Sequence, residues 1–348
     1  MKRNIGYAIA LLTLISWNVH ALTLQQRKDA AEATAQGGSG QSAAPECTAI
    51  QPFYWEIGNS AQALDFAAVG GLDFQANTNM SIASASKWIY AAYVAQRYAG
   101  ALTAYDIMFL TLESGYHSFG GTSCGGGVVD TVGECLDLGD NGSRDSDAIG
   151  KFAYNGGHME AHAANLAGPP SPRPILQTIQ LSNDDDGDLT DAINNELGLT
   201  AVVSYTQPSL PGGVKTTPGH YAEFLRAIMT GDLQMSTLLG KYRVCTNVNP
   251  LICPNSLNTP VPDTESWHYS IGHWVEDDAT SPFGDKSYSN SGSWGFYAWI
   301  DSSVTWYGII GRNVDPGHQV DDDTLMGWPS VECGRRIRKA WLTGVPQT

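Results

Sequence analysis

The sequence predicts a mixed α/β protein, an antiparallel sheet flanked by helices with a mainly helical lobe set between the sheet elements. Three patterns carry this. Residues 53–74 alternate apolar and polar as short strands do, and residues 294–301 and 304–312 alternate again on either side of Asp301-Ser302-Ser303, as in a hairpin. Residues 84–98 place Ile89, Tyr90, Tyr93, Val94 and Tyr98 at helical spacing. Residues 331–342 gather Ile337, Ala340 and Trp341 on one face, with Arg335, Arg336 and Lys339 nearer the other.

Taken in order, Lys2 and Arg3 precede an apolar run at 5–17 that closes on Val19-His20-Ala21, which reads as a secretory signal peptide cleaved after Ala21. The run is shorter than the roughly 20 residues a bilayer needs. Residues 22–46, rich in Ala, Gly, Ser and Gln over 30–44, read as a low-complexity linker. The remainder, 47–348, reads as one domain whose helical lobe covers approximately 116–280. Residues 77–81 are turn-like, and 115–142 are loop by glycine density. Helical patches at 156–239, notably 220–229, are broken by proline at 168–174 and 207–213.

The chain has 348 residues, of which 42% are hydrophobic, enough for a large core. Its 35 acidic residues against 19 basic ones give a net charge of −16, and loss of Lys2 and Arg3 with the leader makes that −18. A phosphate backbone is bound mainly through Lys and Arg, so nucleic acid is excluded as a partner. No stretch after the leader is long and apolar enough to span a membrane, so the mature chain is expected in the periplasm or outside the cell. Oligomeric state is left open.

All six cysteines follow Ala21, and an even count in an exported chain points to disulfides. Six cysteines allow 15 pairings. The expected set joins Cys124 with Cys135 and Cys245 with Cys253, and leaves Cys47 to tie the N-terminal region to the last helix through Cys333. None has C-x-x-C zinc spacing.

The chemistry centres on Ser84-Ala85-Ser86-Lys87, at the start of the first strong helix. A spacing of three puts Ser84 and Lys87 on one helix face, so an amine reaches the hydroxyl. Serine becomes a nucleophile when a neighbour takes its proton, and a partly desolvated lysine is neutral enough to do so. N–H groups of the first helical turn add positive potential for an oxyanion.

The stretch MSIASASKWIY at 80–90 resembles the nucleophile helix of the serine β-lactamase and penicillin-binding-protein superfamily, in its class C, D-aminopeptidase and esterase branch. Four further segments fall in the family's order: DIMFLTLESG at 106–115, FAYNGG at 152–157, TTPGHYAEFLRAIM at 216–229 and NSGSWGFYAWID at 290–301. The resemblance spans most of residues 50–343 and implies the β-lactamase/transpeptidase-like fold. It also implies Ser84 as the acylated nucleophile, Lys87 as its proton acceptor and Tyr154 as the second acid/base. Backbone N–H groups of Ser84 and Ser293 would form the oxyanion hole, with Gly156, Asn290, Ser291, Gly292 and Trp294 facing the substrate.

Two departures steer specificity. Gly156 stands where many relatives carry an asparagine that holds the substrate amide. Asn290-Ser291-Gly292 replaces K-T-G or H-T-G, so the cation that anchors a substrate carboxylate is missing. Lys286 is a candidate replacement. The expectation is therefore an exported serine hydrolase that transfers the neutral acyl group of a carboxylic ester or amide, a small-molecule or peptide/ester substrate, to water through a Ser84 acyl-enzyme, using no metal or organic cofactor. A D,D-peptidase or β-lactamase, and a non-catalytic binder of wall peptides, are the alternatives.

Three other patterns resemble functional motifs. Gly121-Thr-Ser-Cys-Gly125 matches the nucleophile-elbow spacing around Ser123 but lacks a strand before it and a helix after it. His158 and His162 are spaced i, i+4 without the glutamate of a zinc peptidase directly after the first, which leaves His158 as a residue near the Tyr154 pocket. The acidic run SNDDDGD at 182–188 resembles a calcium loop, but Ile193 occupies its twelfth position, so a solvated acidic turn is expected.

Overall fold

A computed structural model of the chain describes residues 22–38, 44–120, 124–125, 127–165, 178–199, 202–314 and 327–347. The expected signal peptide at 1–21, Ser123 and the proline-rich break at 168–174 lie outside these residues.

Helices α1 (Leu24–Ala35) and α2 (Pro45–Ala49) precede the hairpin of β1 (Phe53–Asn59) and β2 (Ala63–Val69). Strand β3 (Met80–Ser81) leads through a single 3-10 turn, Ala83–Ala85, into α3 (Ser86–Arg97). Next come α4 (Ala104–Leu110), α5 (Val132–Leu136), β4 (Phe152–Ala153), α6 (Gly157–Ala163), α7 (Asp186–Leu197), β5 (Ser204–Tyr205), β6 (Val214–Thr216) and α8 (Pro218–Thr230). The rest is β7 (Val244–Cys245), β8 (Ser256–Asn258), β9 (His268–Tyr269), β10 (Trp274–Val275), β11 (Tyr288–Ser291), β12 (Tyr297–Ile300), β13 (Trp306–Gly311) and α9 (Trp328–Thr343).

The main sheet is antiparallel, in the order β2-β1-β13-β12-β11-β10-β9-β7. First and last parts of the chain thus meet at its middle, Tyr54 opposite Gly311. All of β12 and β13 is buried, because helices cover both faces. Gly311 faces Pro218 of α8, whereas its neighbour Arg312 runs beside Ser330 of α9, the alternation a strand imposes. The hairpin expected around residues 301–303 is present, with Tyr297 paired to Ile310 and Ile300 to Tyr307.

Three sequence expectations change. The stretch at 24–35 is a helix and not a linker: the Thr23 hydroxyl accepts from Gln26 N at 3.2 Å, and Ala30, Ala31, Thr34 and Ala35 are buried where α1 packs on α9. Within 116–280, expected as helical lobe, β7, β9 and β10 join the main sheet. The acidic run at 182–188 is largely exposed, as expected of a solvated turn, and leads from a turn at 182–183 into α7, where Asp185 accepts from Asp188 N at 2.8 Å as N-cap and Ile193 is buried. On α9, Arg335 is buried and not outward-facing. It donates to both carboxylate oxygens of Glu265 at 3.1 Å, while buried Arg338 meets Glu276 at 2.6 Å. Buried guanidinium groups persist when paired in this way.

The cysteines pair as Cys47–Cys333, Cys124–Cys135 and Cys245–Cys253. The first ties α2 to α9. No helix among the described residues is long and apolar enough to cross a membrane.

Candidate active site

The site forms where α3 begins. Ala83 adopts a left-handed φ of 45°, a conformation unusual for a side chain-bearing residue. The turn is held from three sides: Ser86 Oγ donates to Ala83 O at 2.6 Å, Val214 N donates to Ser86 Oγ at 3.3 Å, and Tyr221 Oη donates to Ala85 O at 3.2 Å. One helical turn on, Lys87 Nζ lies 2.9 Å from Ser84 Oγ and donates to the Pro211 carbonyl at 3.3 Å. Lys87 is buried, and burial lowers its amine to about 7.

Tyr154 reaches the same place from the end of β4. Its N–H donates to Asn258 O at 3.3 Å, its ring stacks on Trp274 with centroids 5.3 Å apart, and Lys87 Nζ sits 5.0 Å from the ring centroid. Burial pushes the phenol up to about 12, opposed in part by the Ser84 hydroxyl. At neutral pH the lysine is the group able to accept a proton and the tyrosine the group that holds one, a division set by their environments.

The turn between β11 and β12 closes over Ser84. A Cβ on Gly292 would run into the Ile82 carbonyl, so only glycine allows this approach. Among the described residues, neither Ser84 N nor Ser293 N donates to a protein acceptor, which leaves both available to an oxyanion.

Ser84 and Ser293 are shared by two cavities that are otherwise differently lined. The larger, about 670 Å³, adds Lys87, Phe119, Gly125, Gly156, Gln207, Ser209, Pro211, Gly212 and Trp294. The smaller, about 30 Å³, adds Tyr154, Pro260, Val261, Trp267, Trp274, Ser291, Gly292, Gly327 and Trp328. Ser291, Gly292, Trp294 and Gly156 therefore line the cleft. At Gly156 an added Cβ would lie 2.8 Å from Pro211 Cγ and 3.0 Å from Phe119, so the space of the relatives' asparagine is filled by these two side chains. Neighbouring Asn155 is no substitute: its Oδ1 accepts from Phe119 N and Gly157 N, and its Nδ2 donates to Phe119 O.

Two residues expected to face the substrate, His158 and Asn290, line neither cavity. His158 is fully buried and lines neither cavity. Its Nδ1 lies 2.7 Å from Ser114 Oγ and accepts from Ser114 N at 3.2 Å, and Nε2 donates to Ala153 O at 2.9 Å. Burial lowers the ring to about 3, so a neutral imidazole clamps the 114–115 segment to β4. Asn290 points beneath the site, where Nδ2 donates to Gly272 O at 2.8 Å. Lys286 is exposed at the opposite end of β11 and does not replace the missing cation, and Arg312 lines neither cavity.

His162 is likewise occupied, its Nδ1 2.7 Å from Tyr90 Oη and its Nε2 3.2 Å from Asp106 Oδ1. No group of three His, Cys, Asp or Glu side chains among the described residues is arranged to hold a metal. Sequence reading missed Glu160. Fully buried on α6, its Oε2 accepts from Leu210 N at 2.8 Å and so fastens the segment whose Pro211 carbonyl meets Lys87. Burial pushes this carboxyl well above its usual range. Its only sequence signal is a position between two histidines whose spacing does not fit a zinc peptidase.

No protein-family model and no curated protein sequence matches the chain. Solved structures do. D-amino acid amidase from Ochrobactrum anthropi SV3 superposes with TM-score 0.54 at 13% identity, covering 83% of this chain and 95% of that one. The octameric penicillin-binding protein homologue from Pyrococcus abyssi gives TM-score 0.55 at 14% identity, covering 85% and 74%. A mutant simvastatin synthase from Aspergillus terreus gives TM-score 0.50 at 12% identity, covering 92% and 96%. The shared feature is the fold.

Proposed function

For a chain with the fold of the β-lactamase and penicillin-binding-protein-like serine hydrolases, we propose the function of an exported serine hydrolase that cleaves a carboxylic ester or amide through an ester of Ser84. The observation that carries this is Lys87 Nζ, buried and 2.9 Å from Ser84 Oγ. A neutral amine there takes the Ser84 proton as Oγ attacks the substrate carbonyl, and the N–H groups of Ser84 and Ser293 take the oxyanion. Tyr154 donates its proton to the departing oxygen or nitrogen as the carbonyl–heteroatom bond breaks, and the Lys87 ammonium restores it. Water then attacks the acyl-enzyme along the reverse route, and Ser84 recovers its proton as the acid leaves.

A neutral acyl group is favoured over the anionic substrates of D,D-peptidases and β-lactamases, since Asn290 stands at the position of the anchoring cation and is turned to Gly272. Export is supported by the leader-like residues 1–21 and by three disulfides, which persist in oxidising compartments. The test is a panel of methyl esters and primary amides of neutral acids assayed with the mature protein and with Ser84→Ala. Turnover that falls at least about 10⁴-fold in the variant supports the reading. Equal turnover in the variant contradicts it.

A further inference from the structure

The oxyanion position divides the cleft unequally. Once Ser84 Oγ and the oxyanion are placed, the reacting carbon has two remaining substituents, the acyl chain and the leaving group, and two cavities to receive them. A general acid must touch the atom that departs. Tyr154 lines only the small cavity, so on the serine-hydrolase reading, which this inference rests on, the leaving group enters the small cavity and the acyl chain enters the large one.

The two spaces differ about as much as a water differs from a drug-sized ligand. About 30 Å³ holds one or two water-sized molecules, whereas about 670 Å³ is a typical ligand cavity. The small cavity's wall is also braced. Tyr154 stacks on Trp274, Trp274 meets Trp267 edge-on at 6.0 Å, and Trp267 packs on Trp328 at 5.4 Å. Arg335 lies over both Trp267 and Trp328, at 5.3 and 5.8 Å, and is fixed by its two hydrogen bonds to Glu265. Trp267 Nε1 donates to the same carboxylate at 3.0 Å. Rings tied together in this way do not part cheaply to admit a bulky group.

We propose that the substrates are primary amides or methyl esters of large neutral acids: the Trp267–Trp274–Trp328 wall limits the leaving group to ammonia or methanol, while the acyl chain occupies the roomy side. The same confined space then holds the single water that deacylates the enzyme in reach of Tyr154.

Methyl and benzyl esters of one acid test this, because methanol and benzyl alcohol have similar basicity and differ mainly in size. Across a panel of large neutral acids the methyl ester is expected to exceed the benzyl ester at least about 30-fold in kcat/KM. Trp328→Ala, or Val261→Ala if the first does not fold, is expected to shrink that ratio to within about threefold. Equal efficiency for the two esters in the native protein, or an unchanged ratio in a folded variant, overturns the proposal. So does a protein labelled at Ser84 by a fluorophosphonate that turns over no methyl ester or primary amide in the panel. Absence of both labelling and turnover overturns the underlying serine-hydrolase reading instead.

Discussion

Lys87 Nζ has the Ser84 hydroxyl at 2.9 Å and the Pro211 carbonyl at 3.3 Å as its polar partners, and no ion pair links it to a carboxylate among the described residues. A buried ammonium without a counter-ion is penalised, so the amine is lowered to about 7 by desolvation alone.

The pH profile follows. The base must be neutral, so kcat/KM for a methyl ester should fall about tenfold per unit as pH drops below about 7 and level off above it. Tyr154, pushed up to about 12, keeps its proton through pH 10, so no alkaline fall appears below that. An acid limb centred near 4 would assign the base to a carboxylate.

Stability carries the same signature. The unfolded chain binds a proton on Lys87 up to about 10.5 and the folded chain only up to about 7, so stability should rise with pH between these values. Lys87→Met removes a burial cost on the order of 3–5 kcal/mol at pH 7. It should raise the unfolding midpoint at pH 7 while abolishing acylation, with the gain vanishing toward pH 10.5. Denaturant unfolding at pH 7 and 10 checks both signs.

Tyr154→Phe keeps the ring stacked on Trp274 and removes the acid. Loss of a general acid costs roughly 10²–10⁴-fold, more for an amide than for a methyl ester, because ammonia leaves less readily without a proton. Parallel measurement of both substrates should show the larger loss on the amide.

Glu160 should behave as a positioning residue. Glu160→Gln keeps an oxygen for Leu210 N, so activity and the acid limb of the pH profile stay near native. Glu160→Leu strands that buried N–H at a cost of about 1–3 kcal/mol and frees the Pro211 carbonyl, lowering kcat. A shifted acid limb in Glu160→Gln would show the carboxyl to be ionised beside Lys87.

What the sequence disclosed was what depends on local spacing. Ser84 and Lys87 fall on one helical turn, Tyr154 ends a short strand, and near-neighbour cysteines close their own loops. The site features that stayed hidden depend on partners distant in the chain. Asn290 stands at a motif position and His158 is expected near the Tyr154 pocket, but here Gly272 takes Asn290 Nδ2, and Ser114 and Ala153 take the two ring nitrogens of His158. Arg335 looked like a solvent-facing cation because Glu265 is 70 residues away. Helix α1 buries alanines and a threonine, side chains too small to mark an apolar stripe, and two-residue strands such as β9 and β10 are too short to show alternation.

Covalent trapping reads the nucleophilic role of Ser84 most directly. The mature protein, incubated with a small fluorophosphonate and digested, should gain one phosphonyl adduct on the peptide containing Ser84, slowly in Lys87→Met and not at all in Ser84→Ala. An adduct on another serine, Ser123 above all, or no adduct on demonstrably folded protein, would contradict the account.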